Sequence, residues 1–297
     1  MNKTYRKFLL SLSILIVIGL VGYNLVNSKI YLSKAKNINK ENLKINDKVD
    51  LVKTTVISRN RDFKEEPLIN NNRSIPILMY HSIEYEKGNE LRLPVEKFRE
   101  QMKYLKDKNY TTLNFDELYN FLVNNKAIPE KSVVITFDDG YEDNYKNAYP
   151  ILKEFGFNAC IFVITSTIDN DKSYLTSNQL RQMDANGIEI ESHTLNHDDL
   201  SKLSYKDQID TLEKSKEYIE RTLNKKVKYI GYPFGKWNED TIKATKKLGY
   251  SMAFTTIGGW AQKEEGIYTL NRVYISSNFG ISEFKRRLNN PQYNSYN

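Results

Sequence analysis

From Ile75 onward the chain alternates between short apolar or β-branched runs and stretches with helical spacing, and few architectures accommodate that rhythm. Ile75–Tyr80, with Pro76 near its start, reads as an edge or first strand. Ser132–Phe137, Ala159–Ile164, Ile188–Glu191, Val227–Ile230, Met252–Thr255 and Ile267–Ile275 read as further strands. Between them lie helical patterns. Val95–Lys108 carries Phe98, Met102 and Leu105 on one face, and Asn114 caps a helix bearing Leu118, Phe121 and Leu122. Asp143–Phe155 is stopped by Gly156, a helix capped by Thr176 or Ser177 ends near Gly187, and Ser204–Leu223 is long. Glu239–Leu248 is closed by Gly249, and a short helix covers Ser282–Leu288. Strands alternating with helices at this spacing imply parallel β-structure with crossover helices. About seven such units fit a distorted (β/α) barrel better than an open sheet, and in such barrels chemistry collects at the C-terminal strand ends. The pattern alone leaves closure of the barrel open.

The residues just after the expected strands are chemically distinctive. His81, the pair Asp138-Asp139, His193, His197 and the Pro233-Phe234-Gly235 turn all fall there. All three histidines of the chain are in this set. One carboxylate and two imidazoles make three ligands for a divalent metal with a position left open for water, and the second Asp is left to handle a proton. Adjacent carboxylates repel unless a cation lies between them. The His193-x-x-x-His197 spacing lacks the Glu of the H-E-x-x-H zinc-protease helix, so the pair opens a loop instead. His81 stands outside the metal set and is the natural acid near neutral pH.

Charge and cysteine narrow the remaining classes. Residues 1–74 carry 14 Lys+Arg against 6 Asp+Glu, and the rest of the chain carries 30 against 31. The body therefore has no overall electrostatic attraction to nucleic acid. The single cysteine, Cys160, lies in an apolar run and reads as a small buried hydrophobe. Lys3, Arg6 and Lys7 precede an uncharged stretch from Phe8 to Ser28, long enough for a bilayer-spanning helix of about 20 residues. We expect a membrane signal-anchor over 1–28, with the body outside the cytoplasm, or a cleaved signal peptide and a secreted body. Residues 29–74 read as a polar basic linker, 75–290 as the catalytic domain and 291–297 as a C-terminal tail.

Three segments resemble motifs of the polysaccharide deacetylases, the NodB-like carbohydrate esterases. Thr136-Phe137-Asp138-Asp139-Gly140 is similar to the first, Ser192-His193-Thr194-x-x-His197 to the second, and Tyr232-Pro233-Phe234-Gly235 to the third. The resemblance spans roughly Ile75 to Leu288. It implies Asp138 as base, Asp139, His193 and His197 as ligands of one ion, most simply zinc, and a backbone N–H near Phe234 as oxyanion donor beside Pro233. Two departures point to the poly-N-acetylglucosamine deacetylase subgroup. Gly231 and Tyr232 stand where the third motif often carries an Arg, and Leu270-Asn271-Arg272-Val273 replaces the usual late His segment. Met79-Tyr80-His81 resembles the early segment that supplies the acid in that subgroup, which implies His81 as acid, and we expect Arg272 to brace Asp138 in place of the missing Arg. The implied activity is hydrolytic N-deacetylation of an N-acetylated polysaccharide. Tyr141, Tyr232 and Trp260 are candidate sugar-stacking surfaces. Two rivals remain at this level: a ferrous oxygenase, since two His and one carboxylate also hold iron, and a membrane-tethered carbohydrate-binding protein that keeps the fold without the activity.

Overall fold

Ten strands organise the described residues: β1 (Leu68–Ile69), β2 (Ile77–Tyr80), β3 (Thr111–Thr112), β4 (Ile128–Pro129), β5 (Ser132–Phe137), β6 (Ala159–Val163), β7 (Ile188–Ser192), β8 (Tyr229–Gly231), β9 (Met252–Gly258) and β10 (Leu270–Tyr274). They are seen in a computed structural model that describes residue 61, residues 63–64 and residues 67–294. Seven strands close a ring in the order β2-β10-β9-β8-β7-β6-β5 and back to β2, every pairing parallel. The barrel expected from the strand–helix alternation is therefore closed, and β3 extends it beside the start of β5. The crossover helices are α1 (Val95–Asp107), α2 (Phe115–Asn124), α3 (Tyr149–Phe155), α4 (Ser177–Ala185), α5 (Tyr205–Leu223) and α6 (Glu239–Lys247), with α7 (Ile281–Asn289) after the last strand. Asn114, Thr176 and Asn238 each form a reciprocal capping box at a helix start, which is why those boundaries are sharp.

Two-residue alternation sorts the strand side chains between two apolar clusters. Val133, Ile135 and Phe137 of β5 face the helical layer, as do Leu78 and Tyr80 of β2. Val134, Ile77, Cys160, Phe162, Tyr229 and Phe254 point into the barrel. The Phe115 ring at the start of α2 closes this inner cluster, stacked on Phe254 at 4.6 Å and on Phe162 at 5.5 Å. The same alternation continues upward, so Thr136, Asp138 and Arg272 face inward above the apolar floor. Cys160 is buried in that floor and burial raises its thiol pKa well above the usual range, which leaves it no nucleophilic role.

Three boundaries differ from the sequence expectation. The body begins before Ile75: β1 pairs antiparallel with β4, and the Arg61 guanidinium donates to the Glu117 carboxylate at 2.9 and 2.8 Å and to the Thr112 carbonyl at 2.6 Å. Backbone pairing of so short a strand leaves little trace in hydropathy. Tyr293, assigned to the tail, is buried under the Arg287 guanidinium at 4.9 Å. The helix expected from Asp143 opens instead with a π-helical turn over Asn144–Ala148. The expected anchor segment and the linker up to residue 60 lie outside the described residues. No helix among those described is long and apolar enough to cross a membrane.

Candidate active site

The first turn after β5 sets the site. Asp138 continues the inward face of the strand, and Asp139 turns sharply into a left-handed conformation at φ 72°. Gly140 follows at φ 80°, where an added Cβ would meet Val163 at 2.9 Å. The two carboxylates thereby diverge into different surroundings. Thr194 (φ 68°), His197 (φ 62°) and Phe234 (φ 56°) adopt the same costly backbone region. Such outliers persist where the surrounding structure over-determines them, and here they converge on one rim.

Asp139 meets both imidazoles of the second motif. Its Oδ1 lies 3.4 Å from His193 Nε2 and 3.3 Å from His197 Nε2. One ligand atom from each of the three residues fits within a 4.8 Å span. The Nδ1 of His193 lies 2.7 Å from the Gly231 carbonyl, to which it can only donate, and this fixes the tautomer with an unprotonated Nε2 aimed at the carboxylate. Gly231 lacks a side chain for a local reason: a Cβ there would meet the Phe162 ring at 3.0 Å and His193 Nδ1 at 3.2 Å. His197 is held through its own backbone N–H, which donates to Thr194 Oγ1 at 3.0 Å.

The donor set fits a divalent cation. Asp139 Oδ1 is buried and has no hydrogen-bond partner among the described residues, an expensive state for a carboxylate oxygen. Burial raises the Asp139 pKa, but the His193 and His197 imidazoles beside it, which attract the carboxylate when they carry a proton, outweigh it and hold the group far below the carboxylate range. Burial likewise depresses His193, and the Asp139 carboxylate overturns that and raises its pKa. A positive charge is thus strongly favoured between these three groups, and a metal ion supplies it without protonating the imidazole.

Asp138 is engaged quite differently. Arg272 Nη1 and Nη2 donate to its two oxygens at 2.7 Å each, a bidentate pair with the arginine fully buried and the aspartate 1% exposed. Arg272 also donates from Nε to the Thr255 carbonyl at 2.9 Å and from Nη1 to Thr136 Oγ1 at 3.1 Å. Burial would raise the Asp138 pKa, yet the charge and hydrogen bonds of Arg272 leave it below the ordinary value, so it stays ionised at neutral pH. His81 Nε2 lies 4.0 Å from Asp138 Oδ2. Burial lowers the His81 pKa against the upward pull of Asp138 and Asp139.

The remaining candidates divide. Phe234 projects from the rim, 57% exposed, edge-on to His197 at 4.4 Å between centroids, and Pro233 is buried in its turn. Tyr141 lines a shallow depression with Asp139, His197, Ser166 and Asn196. Its ring is stacked on Tyr174 at 5.1 Å and carries the Arg92 guanidinium at 5.3 Å, so it offers a ligand no open platform. Tyr232 is not a sugar surface: it is fully buried, its hydroxyl paired with Thr245 Oγ1 at 3.2 Å. Trp260 is not at the site either. Its indole N–H donates to the Arg287 carbonyl at 2.8 Å, and the next residue bridges Ile75 at the opposite end of β2 from His81. Tyr174 escaped the sequence reading because nothing in its loop marks an aromatic for pairing.

Comparison with known proteins agrees with this geometry. Residues 125–253 match the family model described as polysaccharide deacetylase. YxkH of Bacillus subtilis, a protein named for the polysaccharide deacetylases, is 43% identical over 210 residues, covering 71% of this chain and 74% of that one. A poly-β-1,6-N-acetyl-D-glucosamine N-deacetylase of Staphylococcus aureus is 31% identical over 192 residues, 60% of this chain and 66% of its own length. Among solved structures, the Streptococcus pyogenes deacetylase PplD in complex with acetate superposes with a TM-score of 0.70 at 33% identity, covering 73% of this chain and 99% of that one. With its closed seven-stranded barrel and this degree of identity, the chain belongs to the polysaccharide deacetylase family.

Proposed function

We propose that the protein hydrolyses the acetamide of N-acetylglucosamine-type units in an extracellular or cell-wall polysaccharide, leaving the free amine and releasing acetate. The observation that carries this reading is the pairing of a three-ligand site, Asp139, His193 and His197, with an ionised Asp138 clamped beside it by Arg272. A divalent cation held by the three ligands, zinc by the chemistry of two imidazoles and one carboxylate, would polarise the amide carbonyl and lower the pKa of the attacking water. Asp138 accepts the proton of that water, and Arg272 keeps its carboxylate aimed. The backbone N–H of Phe234 sits on the rim turn beside His197 and donates to the developing oxyanion. His81, 4.0 Å from Asp138, returns a proton to the leaving nitrogen. Two relatives support this substrate class and product: one is a poly-β-1,6-N-acetyl-D-glucosamine N-deacetylase and another is a deacetylase in complex with acetate. We further infer that the basic flank and apolar stretch of residues 3–28 hold the body at the outer face of a membrane.

The deciding experiment is acetate release from a panel of N-acetylated polymers, with chelator and metal add-back. Chelation should abolish release and zinc should restore it. No acetate from any polymer at full metal loading would leave a carbohydrate-binding protein. A second expectation concerns the acid. His81→Ala should lower turnover by about 10²–10⁴ with bound metal retained, and a wild-type rate would remove His81 from the reaction.

A further inference from the structure

His81 presents a puzzle of orientation. A histidine that moves protons usually has its second ring nitrogen held by a carboxylate or carbonyl. Here Nδ1 is buried and has no hydrogen-bond partner among the described residues, and Nε2 approaches Asp138 only at 4.0 Å. The ring is therefore not aimed by its own polar atoms.

Its backbone, in contrast, is gripped over three consecutive residues by one short segment. Asn144 Nδ2 donates to the His81 carbonyl at 2.8 Å. The Asp143 carboxylate accepts from Ser82 Oγ at 2.7 Å and from the Ile83 N–H at 2.6 Å. Asn147 Nδ2 donates to the Ile83 carbonyl at 2.8 Å. Asn144 also donates to Asp143 Oδ1 at 3.2 Å, which ties the grip together. Asp143 and Asn144 are both buried. All three side chains come from the stretch that opens the helix after β5, and the part from Asn144 to Ala148 is π-helical. Single π turns are rare and concentrate at functional sites. An ordinary helix start would not require two buried polar side chains to be spent on a neighbouring loop.

We propose that Asp143, Asn144 and Asn147 are positioning residues that aim the His81 imidazole at the scissile nitrogen. The inference rests on the deacetylase reading and on His81 as its acid. The physical logic is one of register. Asp138 and Asp139 directly follow β5, the grip comes within a few residues, and His81 directly follows β2, the neighbour of β5 in the ring. Base and acid are thus fixed relative to one another through four short hydrogen bonds rather than through a direct contact between their side chains. Misplacement of a reacting group by about 1 Å costs on the order of 10²-fold in rate.

The test compares Asn144→Ala and Asn147→Ala in the full chain and again in a His81→Ala background. Each single variant should lower kcat by about 10- to 10²-fold, with KM within about twofold and metal content unchanged. In the His81→Ala background either substitution should cost less than about twofold, because the group it positions is gone. Independently of activity, the chain has only three histidines, so the His81 ring signal can be identified by its loss in His81→Ala and should shift or broaden in both variants. A full additional loss in the His81→Ala background, or an unchanged His81 signal in both variants, would overturn the grip. Should the buried Asn144→Ala fail to fold, the half-buried Asn147→Ala carries the same comparison alone. Failure of the deacetylase reading looks different: no acetate from the wild type, with the ring signal still responding to the grip.

Discussion

Replacing Asp139 by asparagine or His193 by alanine should remove the bound divalent cation and acetate release together. The two substitutions test the same site by different routes. Asp139 sits at φ 72°, a region asparagine tolerates better than any residue except glycine, so Asp139→Asn keeps the turn and removes the charge. The buried Oδ1, unpartnered within the described structure, loses its anionic character, and the attraction between the three ligands goes with it. His193→Ala leaves the carboxylate and deletes the most buried ligand, the one whose tautomer is set by Gly231. Loss of an outer hydrogen bond to a metal ligand costs about 10–100-fold in affinity, and loss of the ligand itself costs more. Metal per protein after dialysis, measured beside acetate release, gives the answer. Variants that retain a full equivalent of ion would show that these residues are not its ligands.

Much of this arrangement was legible from residue order, and the reasons are physical. Strand periodicity of two and helix periodicity near 3.6 are imposed by burial, so the barrel strands and their helices could be placed from hydropathy alone. The candidate catalytic groups at strand ends follow from the same rule, since the inward face of β5 runs Val134, Thr136 and on to Asp138, and that of β10 runs Leu270, Arg272. What stayed hidden depends on contacts between distant segments. The pairing of Leu68–Ile69 with Ile128–Pro129 and the hold of Arg61 on Glu117 are properties of the closed body, not of local composition. Aromatic type did not reveal aromatic role either. Tyr232 and Trp260 each spend their polar atom on the scaffold, whereas Tyr141 reaches the site paired with a tyrosine more than thirty residues away. The polar side chains of Asp143 and Asn144 looked like an ordinary helix start until their partners at His81–Ile83 were seen.

Arg272→Met should destabilise the protein by about 3–5 kcal/mol at pH 7 and lower turnover to the level of an Asp138→Asn variant. Removing one partner of a buried ion pair strands the other charge, and that stranded charge accounts for most of the penalty. Asp138 is 1% exposed and would keep only the weaker influence of two imidazoles, His193 and His81, the latter 4.0 Å away. The sign of the pH dependence follows. In the wild type the folded-state pKa of Asp138 is depressed, so its contribution is complete above the unfolded-state value and is lost as pH falls through the folded one. In the variant, desolvation has lost the largest charge that opposed it, the guanidinium, and drives the folded pKa above the unfolded value. Its penalty is largest at neutral pH and shrinks as acid protonates the carboxylate. Urea unfolding of the two proteins should therefore give midpoints that converge between pH 7 and pH 4. A gap that stays constant or widens on acidification would mean that Asp138 is not the charge Arg272 compensates. Arg272→Lys separates charge from geometry. A single ammonium cannot reproduce the two parallel 2.7 Å bonds, so it should recover part of the stability while leaving the base poorly aimed and turnover low.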